Sequence, residues 1–439
     1  MKKRQVSMVA LVTAAVMAIT ATPVHADAAS GAAWLATQQQ ADGGFEGAGF
    51  AGFETADAIL ALAESAQTGD PWDAGAARSA VAAVTTDTGL TPYDAIDDEA
   101  EAGPSAGGAA KLIALVAAPG GWADGLSPVA FDPAQDGGAV DLVSTMTAGL
   151  DAGTGLYGTF GDTLLAVLAY RQLCLDIPAT TVSALLAAGA PSGGWNFAGD
   201  PDDDVFDPDI TGRTLQALAA SGVPVDDPAV TAGLRRLAVE HDAASGGWVS
   251  FGESNPNSTA MAILGLDAYG IDTGTRVWRD DIAPERASEP SPSPTDYLLG
   301  QQLADGRITS PSDAFGVNTF ATSQGVQALT RRWDWTAPAG CPDLSAPAPP
   351  TSSTTVPPTT AAPPTTVPVT APSSTPTTAL ATATPSATVQ VAGTSTTATA
   401  TLATTGSSSW GTVLLAGLMV LLGVVAVRVS GRIAPDRRS

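Results

Sequence analysis

Gly31-Ala32-Ala33-Trp34-Leu35-Ala36-Thr37-Gln38-Gln39-Gln40-Ala41-Asp42-Gly43-Gly44-Phe45 runs from a small-residue helical stretch into a glycine turn that ends on an aromatic ring. The ending recurs as Gly193-Gly194-Trp195 and Gly246-Gly247-Trp248, and more weakly as Gly155-Leu156-Tyr157 and Asp305-Gly306-Arg307-Ile308. After each turn comes a second helical stretch: 54–66, 162–174, 209–221, 257–269 and 318–331, with a sixth at 105–118 that lacks the aromatic turn. Apolar residues recur there at helical spacing, as in Ile59, Leu60 and Leu62 or Ile263, Leu264 and Leu266. Asp, Ser, Thr or Asn at the starts supplies N-caps. Further helical segments precede the turns at 28–40, 74–86, 139–150, 179–189, 228–242 and 294–303. The pattern predicts six αα-hairpins whose second helices are rich in Ala, Ser, Thr and Gly, a composition suited to crowding at the axis of a closed ring.

The quoted stretch resembles the QW repeat of squalene–hopene cyclases: an aromatic–Leu pair, a Gln three residues on, then Gly-x-aromatic, with Phe45 where Trp is usual. Tyr297-Leu298-Leu299-Gly300-Gln301-Gln302 followed by Asp305-Gly306 repeats it. Asn255-Pro256-Asn257-Ser258-Thr259-Ala260 and Asn318-Thr319-Phe320-Ala321-Thr322-Ser323-Gln324-Gly325 are similar to repeats of the prenyltransferase and squalene-cyclase superfamily. The resemblance implies an all-α, six-hairpin α/α toroid over residues 27–343. It says less about function, because that fold hosts cyclases, prenyltransferases, thioester proteins and cobalamin carriers.

The residues argue against most of those chemistries. Zinc-dependent prenylation needs a converging Asp, Cys and His, yet the chain has only His25 and His241, and Cys174 and Cys341 lie outside the family's Asp-x-Cys arrangement; no zinc is expected. Asp200-Pro201-Asp202-Asp203 has the letters of the Asp-x-Asp-Asp motif used in proton-initiated terpene cyclisation, but it sits in an acidic loop, and aromatics for an isoprenoid pocket are few. Cobalamin carriage lacks the small β-rich domain that usually follows the toroid. No Cys-Gly-Glu-Gln thioester sequence is present. Asp200, Asp202, Asp204, Asp207 and Asp209 offer converging oxygens for calcium, against a solvated loop that caps the next helix; no cofactor is required.

What remains is binding at a mouth ringed by the starts of the second helices, where helix-dipole positive ends and unsatisfied N–H groups collect. That ring carries Glu54, Thr55, Asp162, Asp209, Thr211, Asn257, Ser258, Asn318 and Thr322, flanked by Phe45, Trp195 and Trp248. Polar groups beside aromatics suit a neutral polar ligand such as a glycan or nutrient. The alternative is an extracellular enzyme, a hydrolase or lyase acting on carbohydrate or peptide with two opposed carboxylates drawn from Glu54, Asp57, Asp162 and Asp209.

The chain ends give an address. Lys2, Lys3 and Arg4 precede an apolar stretch, and Val24-His25-Ala26 offers a cleavage site, so residues 1–26 read as a signal peptide. Leu402-Ala403-Thr404-Thr405-Gly406, an apolar run at 410–427 long enough to span a bilayer, and the basic tail 428–439 follow in order. They resemble the sorting signals that sortases use to attach proteins to Gram-positive peptidoglycan, in the LAxTG variant associated with actinobacterial sortases; without cleavage the chain stays a single-pass plasma-membrane protein with the toroid outside. Residues 344–401 are Pro, Thr, Ser and Ala-rich and uncharged, a disordered stalk that reaches ~170 Å when extended. The chain is strongly acidic, net −25, which excludes nucleic acid as a partner. Two cysteines in an oxidising compartment can form one disulfide. With Cys174 ending the third inner helix and Cys341 following the sixth, residues 333–341 are expected to cross one end of the ring.

Overall fold

The computed structural model describes residues 27–345, apart from Phe251, Pro338 and Ala339. The chain divides after Pro347. The expected signal peptide, the stalk from residue 346 onward, the sorting pentapeptide, the 410–427 span and the basic tail lie outside the described residues. Within them no helix is long and apolar enough to cross a membrane.

The fold is all-α. Its helices are α1 (Ala28–Ala36), α2 (Thr55–Ser65), α3 (Ala74–Ala82), α4 (Pro92–Glu101), α5 (Ala106–Leu112), α6 (Leu142–Ala148) and α7 (Phe160–Gln172). They continue as α8 (Ala179–Ala187), α9 (Pro208–Ala220), α10 (Pro228–Glu240), α11 (Pro256–Asp267), α12 (Val277–Ile282), α13 (Pro294–Gln301) and α14 (Phe320–Thr330). A π-helical turn, Ile113–Ala117, extends α5. Two antiparallel ribbons complete it: β1 (Leu126–Ser127) with β2 (Ala130–Phe131), and β3 (Trp248–Ser250) with β4 (Glu253–Asn255). The small-residue stretches become α2, α5, α7, α9, α11 and α14. Repeat spacing missed α12 and also α4, which starts on Pro92 behind a Thr91–Asp94 capping box.

Caps explain the starts. Asp27, Asp73, Ser105, Asp141, Thr159, Asp207, Asp227, Asn255 and Ser293 each accept a backbone N–H of the first turn. Pro at the first helical position sets φ for α9, α10, α11 and α13.

The repeat is built on three recurring contacts. First, a Thr in the early turns of the second helix accepts the N–H of the residue that ends the turn: Thr55 from Phe45, Thr163 from Tyr157, Thr211 from Trp195, Thr259 from Trp248 and Thr322 from Ile308, all at 2.9–3.1 Å. Second, the turn glycine is pinned against the following outer helix. Gly43, Gly193, Gly246 and Gly306 have φ of +92°, +92°, +87° and +99°, which Gly adopts without strain. An added Cβ would meet Thr91 O at 2.3 Å, Ala232 O at 2.4 Å, Pro292 O at 2.9 Å and Ser30 O at 2.0 Å. Third, Gln39 donates to Gly43 O and Leu90 O, as Gln302 donates to Gly306 O and Asp27 O. The bridging glutamine is thus one residue beyond the Gln that the repeat pattern picks out.

The last of these contacts join the end of the chain to its start, because Gly306 and Gln302 meet Ser30 and Asp27 at α1. The second helices behave alike: α2 touches the π-turn after α5, α5 touches α7, α7 touches α9, α9 touches α11, α11 touches α14, and α14 touches α2. Small residues set the spacing. At the α9–α11 contact a Cβ on Gly212 would lie 2.1 Å from Met261 O, and one on Gly265 would lie 2.5 Å from Gly212 O. The two backbones are in direct contact.

Candidate functional site

The predicted ring separates into two populations. Phe45, Trp195 and Trp248 do not flank a mouth: they are 0, 1 and 0 % exposed. The Trp195 indole N–H donates to Leu185 O at 2.8 Å and that of Trp248 to Leu237 O at 2.9 Å, stapling each turn to its outer helix. Burying these rings gains more than exposing them to a ligand, and the indole donor finds its acceptor inside the unit. Thr55, Thr211 and Thr322 are spent on the turn contacts above. Asn318 caps α14 by accepting the Phe320 N–H and donates to Asp313. Asp162 completes the α7 capping box.

Glu54 lies with Asp57, which the sequence offered as a candidate carboxylate, and with Lys111, which it did not, while Asp209 lies beside Ser258. Lys111 on α5 pairs with Asp57 on α2 at 2.6 Å, with side chains 8 and 3 % exposed. Glu54 is fully buried, and neither of its carboxyl oxygens has a hydrogen-bonding partner in the chain. Burial, and then the charge of Asp57, hold Glu54 well above the usual carboxylate range, so its carboxyl keeps its proton. Arg213 on α9 feels both Asp57 and Asp209, linking the groups of α2 to those of α9. Asp209 is pushed up to about 7 by burial and by Asp207, with Ser258 of α11 beside it. Asn257 donates to Gln324 of α14 at 3.4 Å and accepts from Ser310 at 3.2 Å.

Several buried polar atoms in this interior have no hydrogen-bonding partner in the chain: Asp209 Oδ1, Arg213 Nη1, Ser258 Oγ, both amide atoms of Gln216, Ser323 Oγ and Gln327 Oε1. They sit on α9, α11 and α14, which touch in series. Each such group costs about 1–3 kcal/mol when left without a partner, so together they destabilise the fold unless something polar meets them.

The 200–209 loop does not gather its carboxylates. Asp207 accepts from the N–H groups of Asp209 and Ile210, Asp200 from Asp202, and Asp204 from the Ser192 hydroxyl. Asp200, Asp202 and Asp204 are exposed while Asp209 points into the interior. The geometry therefore does not support the expected calcium set. The same exposure removes the burial that would poise Asp200-Pro201-Asp202-Asp203 as a proton donor. Among the described residues the acidic trio that converges is Asp97, Asp132 and Asp136, whose oxygens lie within 4.8 Å of one another. All three already serve the local chain, since Asp97 accepts from Ala134, Asp132 from Asp136 and Gly137, and Asp136 from Gly138.

The strap that follows α14 packs against α7, α9 and the connection between α2 and α3. Trp333 and Trp335 are each 5 % exposed; Trp333 stacks edge-on against Trp72 at 4.8 Å, and Arg213 lies over Trp335 at 5.6 Å. Gln172 and Arg171 of α7 donate to Asp334 O and Thr336 O, and Trp122 donates to Gly340 O. Cys174 and Cys341 form a disulfide. Glu64, 1 % exposed at the end of α2, accepts from Thr330, and burial pushes its carboxyl up to about 8.

No protein-family model matches the chain, and no curated protein matches it.

Proposed function

We propose that the hairpins form an α/α toroid of the prenyltransferase and squalene-cyclase kind, displayed outside a Gram-positive cell, and that its axial interior binds a small neutral polar ligand such as a glycan or nutrient. A sortase would process the Leu402–Gly406 signal and join the chain to peptidoglycan through the stalk. The ring reading is supported by the serial contacts of the six inner helices and by the bridges from Gln302 and Gly306 back to α1. The binding reading is carried by one observation: the unpartnered polar atoms around Arg213 on α9, α11 and α14. The charges beside them come close to balance, with Arg213 against a partly protonated Asp209, which suits an uncharged ligand rich in hydroxyl or amide groups. The aromatic wall is Trp335 rather than the turn residues.

The test is an array of neutral glycans followed by calorimetry on the full chain, with Arg213→Gln alongside. Binding that falls at least tenfold in the variant is expected. A wild-type chain that binds no neutral glycan or polar nutrient, in a fold shown intact by circular dichroism, overturns the reading. The second reading, an extracellular hydrolase, is favoured by the Asp209 carboxyl, which holds a proton near neutral pH and so has the character of a general acid. Release of cleaved product from the bound glycan would select it.

A further inference from the structure

The Lys111–Asp57–Glu54 cluster is built unlike an ordinary ion pair. Lys111 is the only lysine after residue 3. It is the last but one residue of α5, directly before the π-helical turn Ile113–Ala117. Single π-turns change which way the neighbouring side chains face and recur at functional sites. Its Nζ lies 2.6 Å from Asp57 Oδ2 and 5.6 Å from the centroid of the Phe53 ring. Asp57 and Glu54 are three residues apart at the start of α2, so they share a face. Ala56, Ala58, Ala110 and Leu112 around them are buried. The other charged groups facing the cluster are Glu99 of α4 and Arg213 of α9.

Taking two charges into such surroundings costs several kcal/mol per ion, which their attraction repays only in part. A covalent bond removes both charges at once. We propose that Lys111 and Asp57 are joined by an intramolecular amide that ties α2 to α5, formed by the chain itself with Glu54 as the acid–base group.

The step balances without any added reagent. A proton passes from the Lys111 ammonium to the Asp57 carboxylate across their contact, leaving a neutral amine and a neutral acid. The Nζ lone pair attacks Asp57 Cγ, while the Glu54 carboxyl donates a hydrogen bond to the oxygen that gains charge. Glu54 then gives its proton to the departing hydroxyl and takes one from the nitrogen. The Cγ–O bond breaks, water leaves, and the Nζ–Cγ amide remains, with Glu54 protonated as at the start. Nothing is oxidised or reduced. Burial supplies what the reaction needs: a protonated Glu54, a fixed approach of amine to carboxyl, and little water to reverse it. Glu54 is suited to the role because its carboxyl is kept protonated by burial and by Asp57. Burial pulls Lys111 down while Asp57 and then Glu54 push it up, so the ammonium persists until its proton moves to Asp57. This cross-link does not depend on the ligand reading, which rests on α9, α11 and α14.

Peptide mapping of the purified full chain by mass spectrometry, after reduction and denaturation, tests it whether or not any variant folds. A branched peptide joining the Asp57 and Lys111 segments is expected, lighter than their sum by one water (about 18 Da), with no tryptic cleavage after Lys111. Glu54→Gln, which keeps the shape but cannot shuttle a proton, should give the two segments unlinked. Lys111→Arg should do the same while keeping the charge. A wild-type chain whose Lys111 amine is fully modified by an amine reagent after denaturation overturns the proposal. So does a water loss mapped to any other pair, or a link that forms equally well in Glu54→Gln.

Discussion

Glu64→Gln isolates one buried proton. Glu64 is 1 % exposed, and burial raises its carboxyl from the ordinary 4.5 to about 8, against the opposing hydrogen bonds from Thr330 and from the backbone of Trp333 and Arg332. Between those values the folded chain holds a proton that the unfolded chain has released. A group of this kind favours the fold most at low pH, and its contribution is lost as pH rises from the unfolded value through the folded one. The slope for one proton is about 1.4 kcal/mol per pH unit, with a ceiling of roughly 5 kcal/mol across the window. Gln has the shape of the protonated acid and no titration. Urea unfolding of both chains at pH 5, 6, 7 and 8, with the disulfide intact, therefore gives a difference in which other titrations cancel. The variant should gain on the wild type by about 1 kcal/mol per pH unit from pH 5 upward. A difference that stays flat over this range would refute the claim that the buried carboxyl is protonated in the fold.

Two further substitutions probe the repeat. Thr211→Val keeps the volume but leaves the buried Trp195 N–H without an acceptor, and should cost about 1–3 kcal/mol in chemical denaturation; Thr214→Val, whose hydroxyl is buried without a partner, should cost nothing. Gly212→Ala drives a methyl to 2.1 Å from Met261 O and must separate α9 from α11, so a loss of about 1–3 kcal/mol or more is expected from denaturation, with Gly300→Ala in α13, whose added methyl meets nothing, as the contrast for crowding.

The hairpins were legible because their signals are local. Glycine turns, caps and small apolar positions at helical spacing all lie within a few residues of the elements they determine. The threonine contacts were not, since the interval from the turn residue to its Thr differs: Phe45 to Thr55, Tyr157 to Thr163 and Trp195 to Thr211 give no fixed register. The turn aromatics were misassigned to a ligand because composition does not say which way a ring points. Of the two readings of the acidic loop, the helix-capping one is visible at Asp207, which accepts from Asp209 and Ile210, as Asp side chains in turns commonly bond their own backbone. Lys111 left a usable trace, a lone cation inside a helix of otherwise small and apolar residues. Asp57 was legible as a candidate carboxylate, but its pairing with Lys111 could be found only from the packing of α2 against its neighbours.

The Cys174–Cys341 disulfide also redraws the chain as a mechanical object. A pull applied between the N-terminal side and the segment beyond Pro342 follows the shortest covalent route, which runs to Cys174 at the end of α7 and then across to Cys341. Everything from residue 175 to residue 340 hangs as a side loop that carries no covalent tension. That loop includes α9, α11, α14 and the strap bearing Trp333 and Trp335. The strap would therefore stay seated under loads that strain the first three hairpins, and the interior around Arg213 would be sheltered on one flank from force arriving through the C-terminal chain.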